Sequence, residues 1–152
     1  FKQERVGINN KEFKCIKYRS MRLDAEVCGA QFACQNDPRV FPWGEIMRKT
    51  RIDELPQMLN VLKGDMHLIG PRAEWKILVE EYEKEIPYYN ERHLVRPGIT
   101  GWAQVNYPYG SCIEDTKQKL MYDLYYIKHY SIWLDIKIIY KTILVVLGKK
   151  GL

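Results

Sequence analysis

The sequence predicts a small α+β domain that is mostly helical and has a few short strands. Several segments carry apolar residues at helical spacing, and Gly/Pro turns with short apolar runs separate them. The chain has 152 residues, of which 46% are hydrophobic and 28% are charged, a composition typical of a globular protein with one core. We therefore expect residues 1–152 to form a single domain.

The opening of the chain predicts strand structure. Phe13 and Cys15 flank Lys14, an alternation typical of a half-buried strand that carries cations on its open face. Residues 24–44 contain Asn-Asp-Pro and Pro-Trp-Gly, which interrupt any regular spacing and predict loops.

An amphipathic helix is predicted from about residue 54 to residue 63. Leu55, Leu59 and Leu62 share one face, the spacing of a helix that packs on a core. Pro56 fits only the first turn of such a helix, and Gly64 stands where the helix should end.

A second amphipathic helix is predicted over residues 74–86, with Val79 and Tyr82 on its apolar face. A short strand over residues 68–71 precedes it. A turn-rich connection with a short β element follows over residues 96–107.

Ser111 and Glu114 predict a capping box that opens a third helix. The most apolar segment follows at about residues 132–147, where Asp135 and Lys141 interrupt the apolar run. It is too short and too charged to span a bilayer, but it suits an amphipathic helix that lies in a membrane interface. A core helix of a small domain is the open alternative.

The formal net charge is +5, and the whole basic excess lies in residues 1–51. This distribution favours an anionic partner such as phosphate groups, a nucleic acid or an acidic membrane surface, with a merely solvated basic face as the alternative. The basic residues form no motif of a known nucleic-acid fold, so no nucleic-acid partner is expected.

The four cysteines form no Cys-x-x-Cys pair, and the three histidines are scattered. Neither a disulfide framework nor a zinc site is therefore expected, and the cysteine usage indicates a reducing compartment.

The run RKTRIDELP at residues 48–56 is the sharpest local feature, because Asp53 and Glu54 stand at a predicted helix start behind three cations. The field at a helix N-terminus keeps a carboxylate ionised. Neighbouring helical residues point about 100° apart, so one acid could attack phosphorus while the other holds a hard divalent cation. A simple N-cap role for Asp53 is the alternative.

Two Gly/Pro turns carry an arginine: Arg72 follows Gly-Pro, and Arg96 precedes Pro-Gly. The planar fork of arginine binds phosphate oxygens in pairs, and a rigid turn holds it in place. Together with the acid pair, these turns indicate a diphosphate pocket, although the sequence contains no Gly-rich phosphate-loop fingerprint.

Five motifs stand out in order along the chain: KYRSM at 17–21, RIDELPQ at 51–57, NVLKGDM at 60–66, GPR at 70–72 and RPGITGWAQVN at 96–106. Together they resemble the bacterial sugar transferase family, the monotopic phosphoglycosyl transferases that initiate exopolysaccharide, O-antigen and glycoprotein glycan assembly. The resemblance covers essentially the whole chain. The motifs NYPYG at 106–110 and YDLYYI at 122–127 are most similar to the exopolysaccharide branch.

The resemblance implies that a sugar phosphate moves from a UDP-sugar to polyprenyl (undecaprenyl) phosphate, with release of UMP. Asp53 matches the nucleophile that forms an aspartyl-phosphosugar intermediate, and Glu54 matches the acid that coordinates Mg²⁺. Further matching positions near the phosphates and the nucleotide are Lys17, Arg48, Arg72, Arg96 and the acidic Asp123. The resemblance also implies the cytoplasmic face of the bacterial inner membrane as the working surface, and it leaves a homo-oligomer open.

Two departures from the family pattern are expected to matter. The family has a re-entrant apolar membrane helix before the segment that matches residues 3–7, so this chain is expected to be a catalytic fragment without that anchor. Ala73 stands where the family often has a second proline, which predicts a looser turn around Arg72. The alternative to an enzyme is a non-catalytic basic module that binds nucleic acid or an acidic membrane surface.

Overall fold

The chain opens with an antiparallel hairpin of two strands, β1 (Lys2–Val6) and β2 (Glu12–Ile16), in which Lys2 pairs with Ile16 and Val6 with Glu12. A computed structural model describes residues 1–25, 37–108, 110 and 112–148. The hairpin confirms the strand region that the opening of the sequence predicts.

A second small sheet is parallel. Strands β3 (His67–Ile69) and β4 (Gly98–Thr100) pair through His67 with Gly98 and Ile69 with Thr100. Parallel strands need a long crossover, and here it consists of helix α3 (Lys76–Glu85) and the 3-10 helix Tyr89–Leu94. The predicted small α+β class is confirmed.

The remaining helices are α1 (Pro42–Lys49), the 3-10 helix Ile52–Gln57, α2 (Met58–Lys63), α4 (Trp102–Asn106), α5 (Ile113–Lys128) and α6 (Ile132–Leu147), with a short 3-10 turn at Ile8–Asn10 between the hairpin strands. The main apolar cluster joins β1, α3, the 3-10 helix after α3, and α5; its buried members are Val6, Val79, Tyr82, Ile86, Tyr89 and Leu120. The apolar face predicted for residues 74–86 is therefore the face that packs.

The loop predicted across residues 42–44 is wrong, because Pro42, Trp43 and Gly44 begin α1. Proline is tolerated at the first helical position, where its missing N–H costs nothing. A Cβ on Gly44 would lie 2.1 Å from the Ser20 carbonyl oxygen, so glycine lets α1 approach the chain that follows β2. Gly44 therefore allows close packing of α1 and does not interrupt the helix. Much of the rest of the predicted loop, residues 26–36, lies outside the described residues.

The single helix predicted over 54–63 is also wrong in two respects. The segment is divided into a 3-10 helix that contains Pro56 and the short helix α2, which ends at Gly64 with φ +82°. Its leucines do not face the core: Leu59 and Leu62 are 51% and 81% exposed. The buried positions are polar instead, because this segment packs against the site rather than against the apolar cluster.

Helix α5 begins one residue later than predicted. Cys112 is its N-cap: its Sγ accepts from the Asp115 amide, and its own amide donates to Asp115 Oδ2. The observed capping pair is therefore Cys112 with Asp115 in place of Ser111 with Glu114, and Ser111 itself lies outside the described residues.

Helix α6 coincides with the predicted apolar segment and starts at an N-cap in which Ser131 Oγ accepts from the Leu134 amide at 3.2 Å. Ile138 is its fully buried residue, and the half-buried Lys141 and Thr142 contact other elements. Thr142 bonds to Thr100 at 2.7 Å, and the ammonium group of Lys141 lies 5.0 Å from the centre of the Trp102 ring. Its apolar residues are mostly exposed: Ile132, Trp133, Ile136, Ile139, Ile143, Leu144 and Leu147.

Within the described part of the chain, no helix combines the length and the apolar character that crossing a membrane requires.

Candidate active site

Glu54 is the centre of a buried charge cluster built from three parts of the chain. Lys17, directly after β2, places Nζ 3.2 Å from Glu54 Oε1, and Arg72, in the turn after β3, places Nη2 3.0 Å from the same oxygen. Arg51 contributes Nη1 at 3.4 Å from Oε2. Both carboxylate oxygens therefore face cations, and three predicted site residues (Lys17, Glu54 and Arg72) are brought together.

The backbone at Arg51 adopts the left-handed conformation, with φ 59° and ψ 15°. This region is uncommon for a residue other than glycine, and such strain concentrates at functional sites. Arg51 lies between α1 and the 3-10 helix, of which it is the N-cap. In this helix Asp53 and Glu54 are both buried, whereas Ile52 is exposed.

Asp53 is buried beside Glu54, and no described group donates a hydrogen bond to its Oδ1. Burial and then the neighbouring charge of Glu54 raise the pKa of Asp53 above its usual value, while the charges of Lys17, Arg48 and Arg72 oppose the rise. The expected stabilisation of the ionised form by the helix N-terminus is therefore outweighed by burial and by the charge of Glu54. The result is a carboxylate oxygen with an open acceptor position and raised basicity.

The pKa values of Glu54 and of its partner Lys17 are also shifted. Burial opposes the ionisation of Glu54, but the charges of Arg72, Lys17 and Arg51 outweigh it and hold the pKa of Glu54 well below its usual range. Burial lowers the pKa of Lys17 to about 8, although Glu54 opposes this. Glu54 is therefore ionised at neutral pH, and Lys17 begins to lose its proton just above neutral pH.

The other two predicted basic residues, Arg48 and Arg96, do not belong to the charge cluster around Glu54. Arg48, on α1, donates from Nε to Ser20 Oγ at 3.0 Å, and its charge acts on Asp53. Arg96 is exposed and lies 3.3 Å from His67 Nε2 through Nη1; among the described residues it has no direct contact with the acid pair.

The turn that carries Arg96 nevertheless packs on the turn that carries Arg72. A Cβ on Gly98 would lie 2.1 Å from the Gly70 nitrogen, so glycine is required where these two turns meet.

Asp123 is buried on α5 and forms an ion pair of 2.8 Å with Nη2 of Arg92. It does not touch Asp53 or Glu54; Arg92 in turn donates to the Arg72 carbonyl oxygen at 2.8 Å. Asp123 is therefore connected to Glu54 through Arg92 and Arg72 and not by direct contact.

Three residues of the site were not predicted as site residues: Arg51, Arg92 and Asn60. Asn60 accepts from the Ile16 amide at 3.0 Å and donates to the Lys14 carbonyl at 2.9 Å, which ties α2 to β2 next to Lys17. A polar residue inside a leucine-rich helix was the signal for Asn60. No local pattern distinguishes Arg92 from a surface arginine.

The family model for bacterial sugar transferases matches residues 1–149. The chain belongs to the bacterial sugar transferase family. It is 53% identical, over 99% of its length, to a UDP-N-acetylgalactosamine-undecaprenyl-phosphate N-acetylgalactosaminephosphotransferase of Aeromonas hydrophila. It is 46% identical, again over 99% of its length, to a UDP-glucose:undecaprenyl-phosphate glucose-1-phosphate transferase of Xanthomonas campestris pv. campestris.

A third relative, an exopolysaccharide production protein of Rhizobium leguminosarum bv. phaseoli, is 42% identical over 94% of the chain and is 74% covered by it. The first two relatives are longer: the chain spans 36% and 32% of their lengths. The chain therefore corresponds to about a third of each of those two relatives.

Proposed function

We propose that the protein carrying this chain moves a sugar 1-phosphate from a UDP-sugar to polyprenyl phosphate at the start of exopolysaccharide assembly. The observation that carries the proposal is the buried Asp53–Glu54 pair among Lys17, Arg51 and Arg72, with one Asp53 oxygen open. The names of the relatives, which specify UDP-sugars and undecaprenyl phosphate, support the two substrates.

In the first step, a carboxylate oxygen of Asp53 attacks the phosphorus that bears the sugar. The new phosphorus–oxygen bond forms as the anhydride bond to UMP breaks, and UMP leaves with the electron pair of that bond. The raised basicity of Asp53 favours this attack. Lys17 and Arg72 offset the negative charge that spreads over the phosphoryl oxygens, the main task in phosphoryl transfer.

In the second step, a phosphate oxygen of polyprenyl phosphate attacks the same phosphorus. The bond between Asp53 and phosphorus breaks, the carboxylate is restored, and polyprenyl-diphosphate-sugar is the product. Because the covalent intermediate divides the exchange into two displacements, donor and acceptor need not occupy the site together.

The residues present fit Mg²⁺. This ion prefers oxygen ligands and is usually held by one or two carboxylates together with substrate phosphates. The described residues contain no group of three His, Cys, Asp or Glu side chains that could hold a metal on their own. Glu54 keeps a free lone pair beside its three cationic contacts, and Asp53 has its open Oδ1. When bound there with the diphosphate, Mg²⁺ would supply charge neutralisation.

We also propose that the chain works on the cytoplasmic face of the bacterial inner membrane. The second substrate is a lipid, and two apolar surfaces of the chain are exposed: the face of α6 and the leucines at 55, 59 and 62, which begin two residues after Asp53. Exposed apolar faces of this kind bury themselves in the interfacial layer of a bilayer.

The test uses the full-length protein with undecaprenyl phosphate, Mg²⁺ and a panel of UDP-sugars. We expect release of UMP with one preferred sugar, and without the acceptor a phosphosugar adduct on the peptide that contains Asp53, detected by mass spectrometry. Asp53→Asn should abolish both. Asp24→Asn, at an exposed acid, is the matched control and should change neither.

Retention of the adduct in Asp53→Asn, or its appearance on another peptide, would remove Asp53 from the nucleophile role. Absence of UMP release with every UDP-sugar, together with salt-sensitive binding to generic DNA, would favour the basic-module alternative instead.

A further inference from the structure

The turn that carries Arg72 is fixed by its backbone. Three consecutive carbonyl oxygens each accept a hydrogen bond: Pro71 from the Gly98 amide at 2.9 Å, Arg72 from Arg92 Nη2 at 2.8 Å, and Ala73 from Arg5 Nη1. Two of the three donors are buried arginine side chains. These contacts hold the turn at Ala73, where the family often has a second proline and where the sequence predicted a looser turn.

Arg92 is itself held on several sides. Nη2 lies 2.8 Å from Asp123 Oδ2, Nη1 donates to the Tyr89 hydroxyl at 2.7 Å, and the guanidinium carbon lies 5.2 Å from the centre of the Tyr89 ring. A buried ion pair gains little stability over a well-packed apolar pair. Its geometry, however, places Nη2 of Arg92 within reach of both Asp123 and the Arg72 carbonyl.

Arg5 approaches the same turn from β1. Its guanidinium is bonded to Gln3 Oε1 through Nε at 3.1 Å and Nη2 at 2.8 Å, and to the Ala73 carbonyl. Among the described residues its hydrogen-bond partners are all neutral, and burial, followed by the charge of Arg72, lowers its pKa. Burial of a charge costs free energy, and the hydrogen bonds to Gln3 and to the Ala73 carbonyl offset part of that cost.

We propose that Arg92 and Arg5 are positioning residues that clamp the backbone of residues 71–73 from two sides, so that the Arg72 guanidinium stays against Glu54 and faces the donor diphosphate. Asp123 acts through Arg92 and not on substrate. The identity of the ligand as a diphosphate rests on the proposed function; the clamp itself rests only on the contacts described above.

The first test measures steady-state kinetics of the full-length enzyme for Arg92→Lys. Lysine keeps the charge opposite Asp123 but lacks the planar fork needed to reach Tyr89, Asp123 and the Arg72 carbonyl together. We expect KM for the UDP-sugar to rise about tenfold, more than kcat falls, as for the loss of one charge-assisted hydrogen bond. A merely structural defect would lower the active fraction and hence kcat, and would leave KM unchanged.

Tyr126→Phe is the matched control. Tyr126 is buried on the same helix as Asp123, and its hydroxyl donates to Asp135 at 2.9 Å, away from Arg92. This variant loses a partly buried hydrogen bond and leaves the contacts of Arg92 and Arg5 intact, so KM should keep its wild-type value. Arg5→Met is the second variant. Arg5 forms no salt bridge with any residue that the structure describes, so the change breaks no ion pair, and KM should rise as well.

A double-mutant cycle with Arg72→Lys tests whether Arg92 acts through Arg72. If it does, the double variant should have a KM within about twofold of that of the Arg72→Lys single variant, since the effects of residues in one network are not additive. A further tenfold rise in the double variant would overturn the proposal.

A final measurement does not depend on catalysis. Hydrogen–deuterium exchange should accelerate at the Gly70 and Gly98 amides, which donate to the Thr100 and Pro71 carbonyls, in Arg92→Lys and Arg5→Met but not in Tyr126→Phe. Unchanged exchange in folded clamp variants would refute the clamp even if the enzyme transfers sugar phosphate. Accelerated exchange in a protein that turns over no UDP-sugar would support the clamp and count against the proposed function alone.

Discussion

Two neighbouring stretches of the chain have opposite polarity. In α3 the buried residues are apolar, Val79 and Tyr82, and the glutamates face water. In residues 52–63, which we name the polar-inward segment, Glu54 and Asn60 are buried and Leu62 is exposed. The contrast separates two tasks. Helix α3 stabilises the fold through its apolar face, whereas the polar-inward segment buries charged and polar side chains and leaves its apolar face exposed.

The largest expected effect comes from breaking the charge cluster of the polar-inward segment. Glu54→Gln removes the carboxylate that forms ion pairs with Lys17, Arg51 and Arg72, and leaves Asp53 as the nearby acid that offsets their charge. We expect kcat/KM of the full-length enzyme to fall about a thousandfold and its Mg²⁺ dependence to weaken. Steady-state kinetics across a Mg²⁺ titration measures both.

Glu81→Gln is the corresponding change on α3, at an exposed glutamate, and should leave the kinetics unaltered. A Mg²⁺ titration of Glu54→Gln that matches the wild type would remove Glu54 from the metal role.

The second effect concerns stability. Asn60→Leu would give the polar-inward segment an apolar buried residue like those of α3. It would also leave the Ile16 amide, the Lys14 carbonyl and the Asp65 carboxylate without their partner. We expect the free energy of unfolding to fall by about 3 kcal/mol, because three partly buried polar groups would lose their hydrogen bonds. Denaturant unfolding measures it.

Val79→Ala provides the comparison on α3 and should cost about 2–3 kcal/mol through a cavity alone. If Asn60→Leu leaves the free energy of unfolding unchanged, the buried asparagine contributes no net stability. The two stretches would then differ only in function.

The sequence predicted α3 well and the polar-inward segment poorly, for one physical reason. Helical spacing of leucines locates an amphipathic face, but it does not tell whether that face is buried against the protein core or left exposed, since the spacing is the same in both cases. Local motifs predicted the acid pair, Arg72 and their convergence in one pocket. Which cation faces which oxygen of Glu54 was not predictable, because Lys17, Glu54 and Arg72 lie far apart in sequence and only the packed turns set these distances.

The third prediction exploits the exposed apolar face. Replacing Leu55, Leu59 and Leu62 together by Ser should lower binding of the 152-residue chain to anionic phospholipid vesicles about tenfold, because exposed apolar area drives interfacial binding. Vesicle co-sedimentation measures it. Ile77→Ser, at an exposed apolar residue of α3, should leave binding near the wild-type value. Equal losses in the two variants would mean that the polar-inward segment is not specifically directed towards lipid.

The smallest effect depends on pH and concerns Lys17, whose pKa burial lowers to about 8. As pH rises through that value the ammonium group loses its proton, so Glu54 and the diphosphate lose one cation while Arg72 keeps its charge. We expect KM for the UDP-sugar to rise about threefold between pH 7 and pH 9, the interval over which such an amine passes from mostly charged to mostly neutral. Lys17→Arg keeps a charge throughout this range and should flatten the rise, whereas Lys84→Arg, at an exposed lysine of α3, should leave it in place. If the rise persists unchanged in Lys17→Arg, another group titrates, and the buried ammonium of Lys17 is not what distinguishes this site from an exposed helix face.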